Sequence, residues 1–312
     1  MPRLRPAHLG LTLSTRHRRR RSGRATTVIA VLGVLASLGL VGAWVWPGSP
    51  LATARSAVRW RTLPQLLAPA GRPTSGLAPL PVKATEIKIS QSGWYSWALL
   101  DTRTGELSGP ADRDQVSTTA SLIKSWIGAD FLRRTAEEGR QPSADDKEQI
   151  ETMIRDSDNE AADALFTTIG REDSTRRMIS ICGLADSTVA ADGGWSNTLM
   201  SPADITRLGA CIADGRAAGP WTTYLLDQLR AVRDEGDFGI RKAFPEDQQK
   251  TIATKNGWVD REELQEYHVS CMAIGTGWVV GVMARYEIAK GYAYGAKICE
   301  LVGQELRKAA GG

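Results

Sequence analysis

Charge is distributed along this chain of 312 residues so that only part of it can fold: none of its 35 acidic residues precedes Glu86. Residues 1–25 carry eight arginines (Arg3, Arg5, Arg16, Arg18, Arg19, Arg20, Arg21 and Arg24). Residues 26–46 then form a run of 21 without a charge. A helix of about 20 apolar residues crosses the hydrocarbon core of a bilayer. Trp44 and Trp46 stand at its far end, where amphipathic rings suit the membrane interface. Arginines preceding an apolar span stay cytoplasmic, so the chain is expected to be a single-pass protein of the cell membrane with all that follows lying outside. A nucleic-acid-binding arm is the alternative for the arginine head, and the span directly behind it argues against that.

The span is expected to be either an anchor or a secretory signal. Ala52-Thr53-Ala54 has the small-x-small form of a cleavage site, which would release a secreted protein cut after Ala54. The apolar run is long for a signal, which favours the anchor. No cysteine follows the span closely, so a lipid-modified amino terminus is not indicated, and no convincing twin-arginine pattern is present. Residues 47–85 hold seven prolines and five basic residues with no acid, which reads as an extended, semi-rigid tether.

Residues 86–312 are therefore the folded domain. Its 26 Lys and Arg face all 35 acids, a formal charge of −9, although the whole chain sums to +4. A polyanion such as nucleic acid is thus not expected as the domain's partner. Cys182, Cys211, Cys271 and Cys299 lack metal-ligand spacing, and neither a metal nor another cofactor is expected. In an oxidising compartment they permit two disulfides; chain order suggests Cys182–Cys211 and Cys271–Cys299, with four buried thiols as the alternative.

Along the domain the pattern predicts a hairpin (94–101 returning at 106–108), then helices over 119–138, 142–155, 161–169 and 171–182. A long aperiodic loop follows at 185–200. Ser201-Pro202 starts a further helix, serine as N-cap and proline at the first helical position. Another helix spans 220–233. Three strands (252–255, 267–275, 277–286), with tight turns at Asn256-Gly257 and Gly275-Thr276-Gly277, precede a closing helix over 294–309. Strands segregated from helices indicate an α+β domain with one five-stranded antiparallel sheet, flanked by helices, beside an all-helical subdomain.

Three short motifs occur in order: Ser121-x-x-Lys124, Ser157-Asp158-Asn159 and Lys255-Asn256-Gly257. A Ser-x-x-Lys turns up about once by chance in a chain this long, whereas Ser-Asp-Asn is expected in only a few per cent of such chains. Each lies where chemistry needs it: opening a helix, breaking between helices, and ending a strand. Together, and with the segments Ser157–Leu165 and Met200–Leu208, they resemble the penicillin-recognising serine hydrolases, the class A β-lactamases and DD-peptidases. The likeness covers nearly all of residues 86–310.

That resemblance implies an acyl-enzyme mechanism. Ser121 would be the nucleophile, Lys124 its base and Ser157 the proton donor to the leaving nitrogen. Asn159, Lys255, Asn256 and Gly257 would bind the substrate, a β-lactam or a cell-wall peptide. The backbone N–H groups of Ser121 and Trp258 would form the oxyanion hole. A serine hydroxyl needs such a base, and a lysine becomes one when burial and a second cation lower its pKa. His268, the domain's only histidine, lies within a strand pattern and reads as structural.

The chain departs from the family in four places, the first being a stretch between Lys124 and Ser157 shorter than is usual in β-lactamases, which reduces one cleft wall. Asn256 stands where Thr or Ser is usual, bulky Trp258 follows the glycine, and the 185–200 loop lacks the glutamate that activates water for deacylation. Its acids are Asp186 and Asp192; Asp192 reads first as a turn residue before Gly193-Gly194. Three readings follow: a β-lactamase, a peptidase or esterase of the cell wall, or an inactive domain that binds cell-wall material or a partner.

Overall fold

The computed structural model describes Leu80 and residues 87–310. The head, the apolar span and almost all of the tether lie outside the described residues. Among the described residues no helix is long and apolar enough to cross a membrane.

Strand β1 (Trp94–Asp101) turns back into β2 (Leu107–Ser108), with Asp101 Oδ1 accepting from the Arg103 backbone N–H at 2.8 Å inside the turn. β3 (Ser117–Thr118) leads to a 3₁₀ turn, Ala120–Ile123, and helix α1 (Lys124–Glu137). Helices α2 (Ala144–Arg155), α3 (Asn159–Thr168) and α4 (Glu172–Cys182) follow. A loop carries the 3₁₀ turn Trp195–Asn197 and β4 (Leu199–Met200). Then come α5 (Pro202–Ala213), α6 (Thr222–Arg230) and a single turn, α7 (Glu246–Gln249). Strands β5 (Ala253–Arg261), β6 (Glu266–Gly275) and β7 (Trp278–Glu287) precede α8 (Gly291–Ala309).

The five long-sheet strands pair antiparallel in the order β2-β1-β7-β6-β5, joining the first hairpin to the last three strands as the sequence predicts. α8 covers one face of the sheet and α5 packs on the other. Central β6 and β7 are consequently buried on both faces and read as continuous apolar runs instead of alternating ones. One core cluster fills the space among α1–α6 and the sheet, with Trp126, Ile127, Leu132 and Ile150 fully buried. The other lies under α8, around Trp97, Trp278 and Val302. Leu80, inside the stretch read as tether, is buried in this second layer.

Local chemistry sets the helix starts. Ser143 and Asp146 form a reciprocal capping box on α2, and Ser201 Oγ accepts from the Asp204 N–H at 3.0 Å ahead of Pro202. Such caps contribute about 1 kcal/mol each. The predicted helix over 119–138 is divided, because Ala120 adopts φ 44° and the chain tightens into a 3₁₀ turn before α1 begins at Lys124. The predicted turn at Asn256-Gly257 is absent: both residues lie inside β5, opposite Cys271 and Ser270. Gly257 is there for close packing rather than for a reversal.

Both disulfides suggested by chain order are formed, Cys182–Cys211 and Cys271–Cys299. They close loops with sequence separations of 29 and 28 residues. Loop-closure entropy gives each about 3–4 kcal/mol. Replacing both Cys271 and Cys299 by Ala is expected to lower denaturant-derived stability by that order; a change below about 1 kcal/mol would show that the bond does not restrict the unfolded chain as argued.

Candidate active site

Residues from four separate elements converge beside the edge strand β5. Ser121 lies in the 3₁₀ turn and Lys124 is the first residue of α1. In a 3₁₀ turn residues three apart eclipse, so both side chains leave the same side of the chain. The left-handed φ of Ala120 just before Ser121 is strain of about 1–3 kcal/mol, the sort that persists at functional turns.

Ser157 and Asn159 come from the break between α2 and α3. Ser157 also takes a left-handed φ, 60°, and Asp158 caps α3 by accepting from the Ala161 N–H at 2.7 Å. This conformation turns Ser157 and Asn159 together toward Lys124. The lysine Nζ donates to Asn159 Oδ1 at 2.6 Å and to the Ser157 carbonyl at 2.5 Å, and lies 3.5 Å from Ser157 Oγ. From the other side, Lys255 Nζ donates to Ser157 Oγ at 2.9 Å. The Ser157 hydroxyl therefore sits between two lysine amines.

Lys124 and Lys255 are both without solvent exposure. Burial brings Lys124 down to about 8, against an opposing pull from Asp158 and Asp163. Burial, reinforced by the charge of Lys124, holds Lys255 well below the usual lysine range. Two lysines sharing one hydroxyl in a dry site thus each favour loss of a proton from the pair.

β5 supplies the opposite wall. Side chains alternate along a strand, so Lys255 and Gly257 face the serine turn while Asn256 and Trp258 face away. A Cβ on Gly257 would come within 2.3 Å of the Thr119 carbonyl and 2.7 Å of the Ser121 and Leu122 nitrogens. Only glycine lets β5 approach the turn this closely, which brings the Ser121 N–H beside the strand.

Asn256 stands apart from the other predicted site residues. It is buried, and its Nδ2 donates to the Gly236 and Phe238 carbonyls at 3.0 and 2.8 Å. Its amide is committed to holding the 236–238 segment against the strand instead of facing a substrate. Trp258 packs edge-on against Phe238 and Tyr292, at 5.7 and 5.6 Å between centroids. His268 is structural in its contacts: Nδ1 pairs with Thr118 Oγ1 at 2.8 Å and Nε2 with Glu266 Oε2 at 2.9 Å.

Sequence reasoning missed Trp195. Its ring centroid lies 4.9 Å from Lys124 Nζ, and its Nε1 donates to Asp163 Oδ1 at 2.6 Å. The only signal was the spacing of Asn159 and Asp163, four apart on one face of α3. The loop acids do not reach the lysine. Asp192 accepts from the Gly194 N–H at 2.9 Å and from Asn197 Nδ2 at 2.5 Å, the turn role expected of it. Asp186 accepts from Ser201 Oγ at 2.8 Å.

With this arrangement in view, residues 143–287 match the model of the Beta-lactamase enzyme family. The domain has a β-lactamase-like fold. Solved structures similar to this β-lactamase-like domain include a β-lactamase from Sphaerobacter thermophilus DSM 20745, with a TM-score of 0.56 at 18% identity over 71% of this chain and 93% of that one. A class A β-lactamase from Mycobacterium abscessus gives a TM-score of 0.55 at 18% identity over 71% of this chain and 95% of that one. Among curated proteins, one described as "Putative lipoprotein LppW" from Mycobacterium tuberculosis is 28% identical over 216 residues, 67% of this chain and 68% of that protein. The matched family segment contains Ser157-Asp158-Asn159 and Lys255-Asn256-Gly257 but begins after Ser121 and Lys124.

Proposed function

We propose that the domain is an extracytoplasmic active-site serine hydrolase that forms an acyl-enzyme at Ser121 on β-lactams or related cell-wall amides. The Ser157 hydroxyl held between Lys124 and Lys255 carries this reading. Ser121 Oγ attacks the carbonyl carbon and passes its proton to Lys124 Nζ. The oxygen that gains charge is met by the Ser121 and Trp258 backbone N–H groups. As the C–N bond breaks, Ser157 gives its proton to the nitrogen and is reprotonated from the lysine pair. Asn159 holds Lys124, and Lys255 attracts a substrate carboxylate. Gly257 keeps the cleft narrow.

Within this reading the loop geometry favours a penicillin-binding peptidase or esterase over an efficient β-lactamase. No glutamate lies in the loop, and Asp186 and Asp192 are engaged elsewhere. The third reading, a domain that only binds, leaves two desolvated lysines on one hydroxyl without a purpose. A membrane anchor through residues 26–46 is part of this reading, and a relative's description as a putative lipoprotein also speaks for a membrane location.

The test is intact mass against time after mixing the full chain with a penicillin, beside Ser121→Ala. A serine-dependent gain that persists is expected. A transient gain with drug hydrolysis would instead support the β-lactamase, and no gain would sink the acylation reading.

The acylation rate should also report on Lys124. A neutral lysine is the base, so the rate is expected to climb with pH and level off above about 8. An inflection near ~10.4, the value of a free lysine, would show that Lys124 is not the base. Stability follows with a defined sign. Between about 8 and ~10.4 the unfolded chain binds the proton that folded Lys124 has lost, so folding becomes more favourable as pH rises through that window.

A further inference from the structure

The turn Trp195–Asn197 packs directly on the turn that carries Ser121. Three contacts hold it there. Asp163 on α3 accepts from the Trp195 indole at 2.6 Å. Arg261, at the end of β5, donates to the Ser196 carbonyl at 3.3 Å. Asp192 in the same loop takes the Asn197 amide at 2.5 Å. The indole face so positioned lies over Lys124 Nζ at 4.9 Å. The remaining neighbours of that ammonium are Asn159, Ser157 and, across Ser157 Oγ, Lys255. Lys124 has no exposure to solvent in this setting.

Neither carboxylate of this loop reaches Lys124, and an aromatic ring lies over the base instead. An indole neither accepts a proton from water nor leaves room for water beside the lysine. We propose that Trp195, latched by Asp163, is a specificity-determining residue of this site: it closes the loop side of Lys124 to water, so that an acyl group on Ser121 outlasts the reaction that placed it. The lifetime of the acyl group rests on the acyl-enzyme reading; the closure over Lys124 does not.

Deacylation consumes one water: its oxygen bonds the acyl carbon, the ester bond to Ser121 Oγ breaks, and the serine regains its proton. With the ring in place neither a water site nor a free base is available on the loop side. Asp163 is a positioning residue in this scheme: it holds the indole over Lys124, and its charge also pulls on that lysine.

Two readouts on the same full-length preparations separate the parts. Acetic anhydride labels exposed amines, and peptide mass mapping reports each lysine. In the native chain Lys124 is expected to resist labelling while surface Lys297 and Lys308 react. In Trp195→Ala it should label about tenfold faster or more once the ring no longer excludes solvent. Trp195→Phe, which keeps a ring but loses the donor, and Asp163→Ala, which frees the indole, should fall between. Asp163→Asn retains an acceptor for the indole and should stay close to native and well below Asp163→Ala, a small rise reflecting only the lost pull of the carboxylate on Lys124. Equal protection of Lys124 in native and Trp195→Ala chains, both melting cooperatively, would overturn the closure.

The second readout is the decay of a penicillin adduct on Ser121, expected about tenfold or more faster in Trp195→Ala than in the native chain. An adduct of unchanged lifetime, with Lys124 now labelled, would overturn the assignment of acyl lifetime to Trp195. Failure of every preparation to take up the drug would instead remove the acylation reading and the lifetime claim with it, leaving the closure to be judged by labelling alone.

Discussion

Lys124→Ala is expected to slow acylation of Ser121 by about 10³-fold, within the 10²–10⁴ that a positioned general base contributes, while the domain stays folded. The two expectations have one cause. Lys124 is fully buried among Asn159 Oδ1, the Ser157 carbonyl and the indole of Trp195. Removing it leaves two acceptors without their donor, a loss of about 1–3 kcal/mol each when buried. Removal also ends the cost of keeping an ammonium out of water, which is the cause that brings its pKa down to about 8. Asn159 is an exposed residue, so its oxygen regains water. These contributions oppose one another, so Tm should move far less than the rate. The checks are the time course of the mass gain on Ser121 and a thermal melt of the same sample. Acylation within tenfold of native would transfer the role of base to Lys255, the other buried amine on Ser157 Oγ.

Gly257→Ala is the second large effect, and it arises from backbone. The new methyl would stand 2.3 Å from the Thr119 carbonyl and 2.7 Å from the nitrogens of Ser121 and Leu122. None of those atoms belongs to a flexible side chain, so β5 and the serine turn must move apart. Overpacking of this kind costs about 1–3 kcal/mol. The functional loss should be larger, because the same displacement separates the Ser121 and Trp258 N–H groups that are proposed to face the oxyanion. Loss of one such donor costs about 10²–10³ in rate. Denaturant titration reads the first effect and the acylation rate the second. An active, undisturbed Gly257→Ala protein would show that β5 and the turn do not need to approach this closely.

Much of the fold was legible because its determinants are local. Serine caps at Ser143 and Ser201, the proline after Ser201 and the glycine at Gly183, whose φ is 63°, mark helix ends in the sequence and in the structure alike. The strand run at the end of the chain also declares itself, and antiparallel pairing of neighbours is the simplest way to join it. Asn256-Gly257 was misread as a hairpin turn because that dipeptide favours reversals in isolation. Its meaning here is set by other elements: the turn before α1, more than 100 residues away in the chain, needs the missing side chain of Gly257. The segment before β5 needs the amide of Asn256.

The sequence by itself determined which residues are the candidates for chemistry, in what order they come, and which part of the chain is charged to fold. It pointed to the serine, the two lysines and the Ser-Asp-Asn break because motif spacing on short elements is a local property. Tertiary structure alone decided that both lysines share the Ser157 hydroxyl, that Asn256 faces away from the cleft, and that Trp195 lies over Lys124. The physical reason is that each depends on the separation of surfaces brought together by packing of the sheet against the helices. Such separations, together with the burial that lowers a lysine's pKa, belong to no single segment.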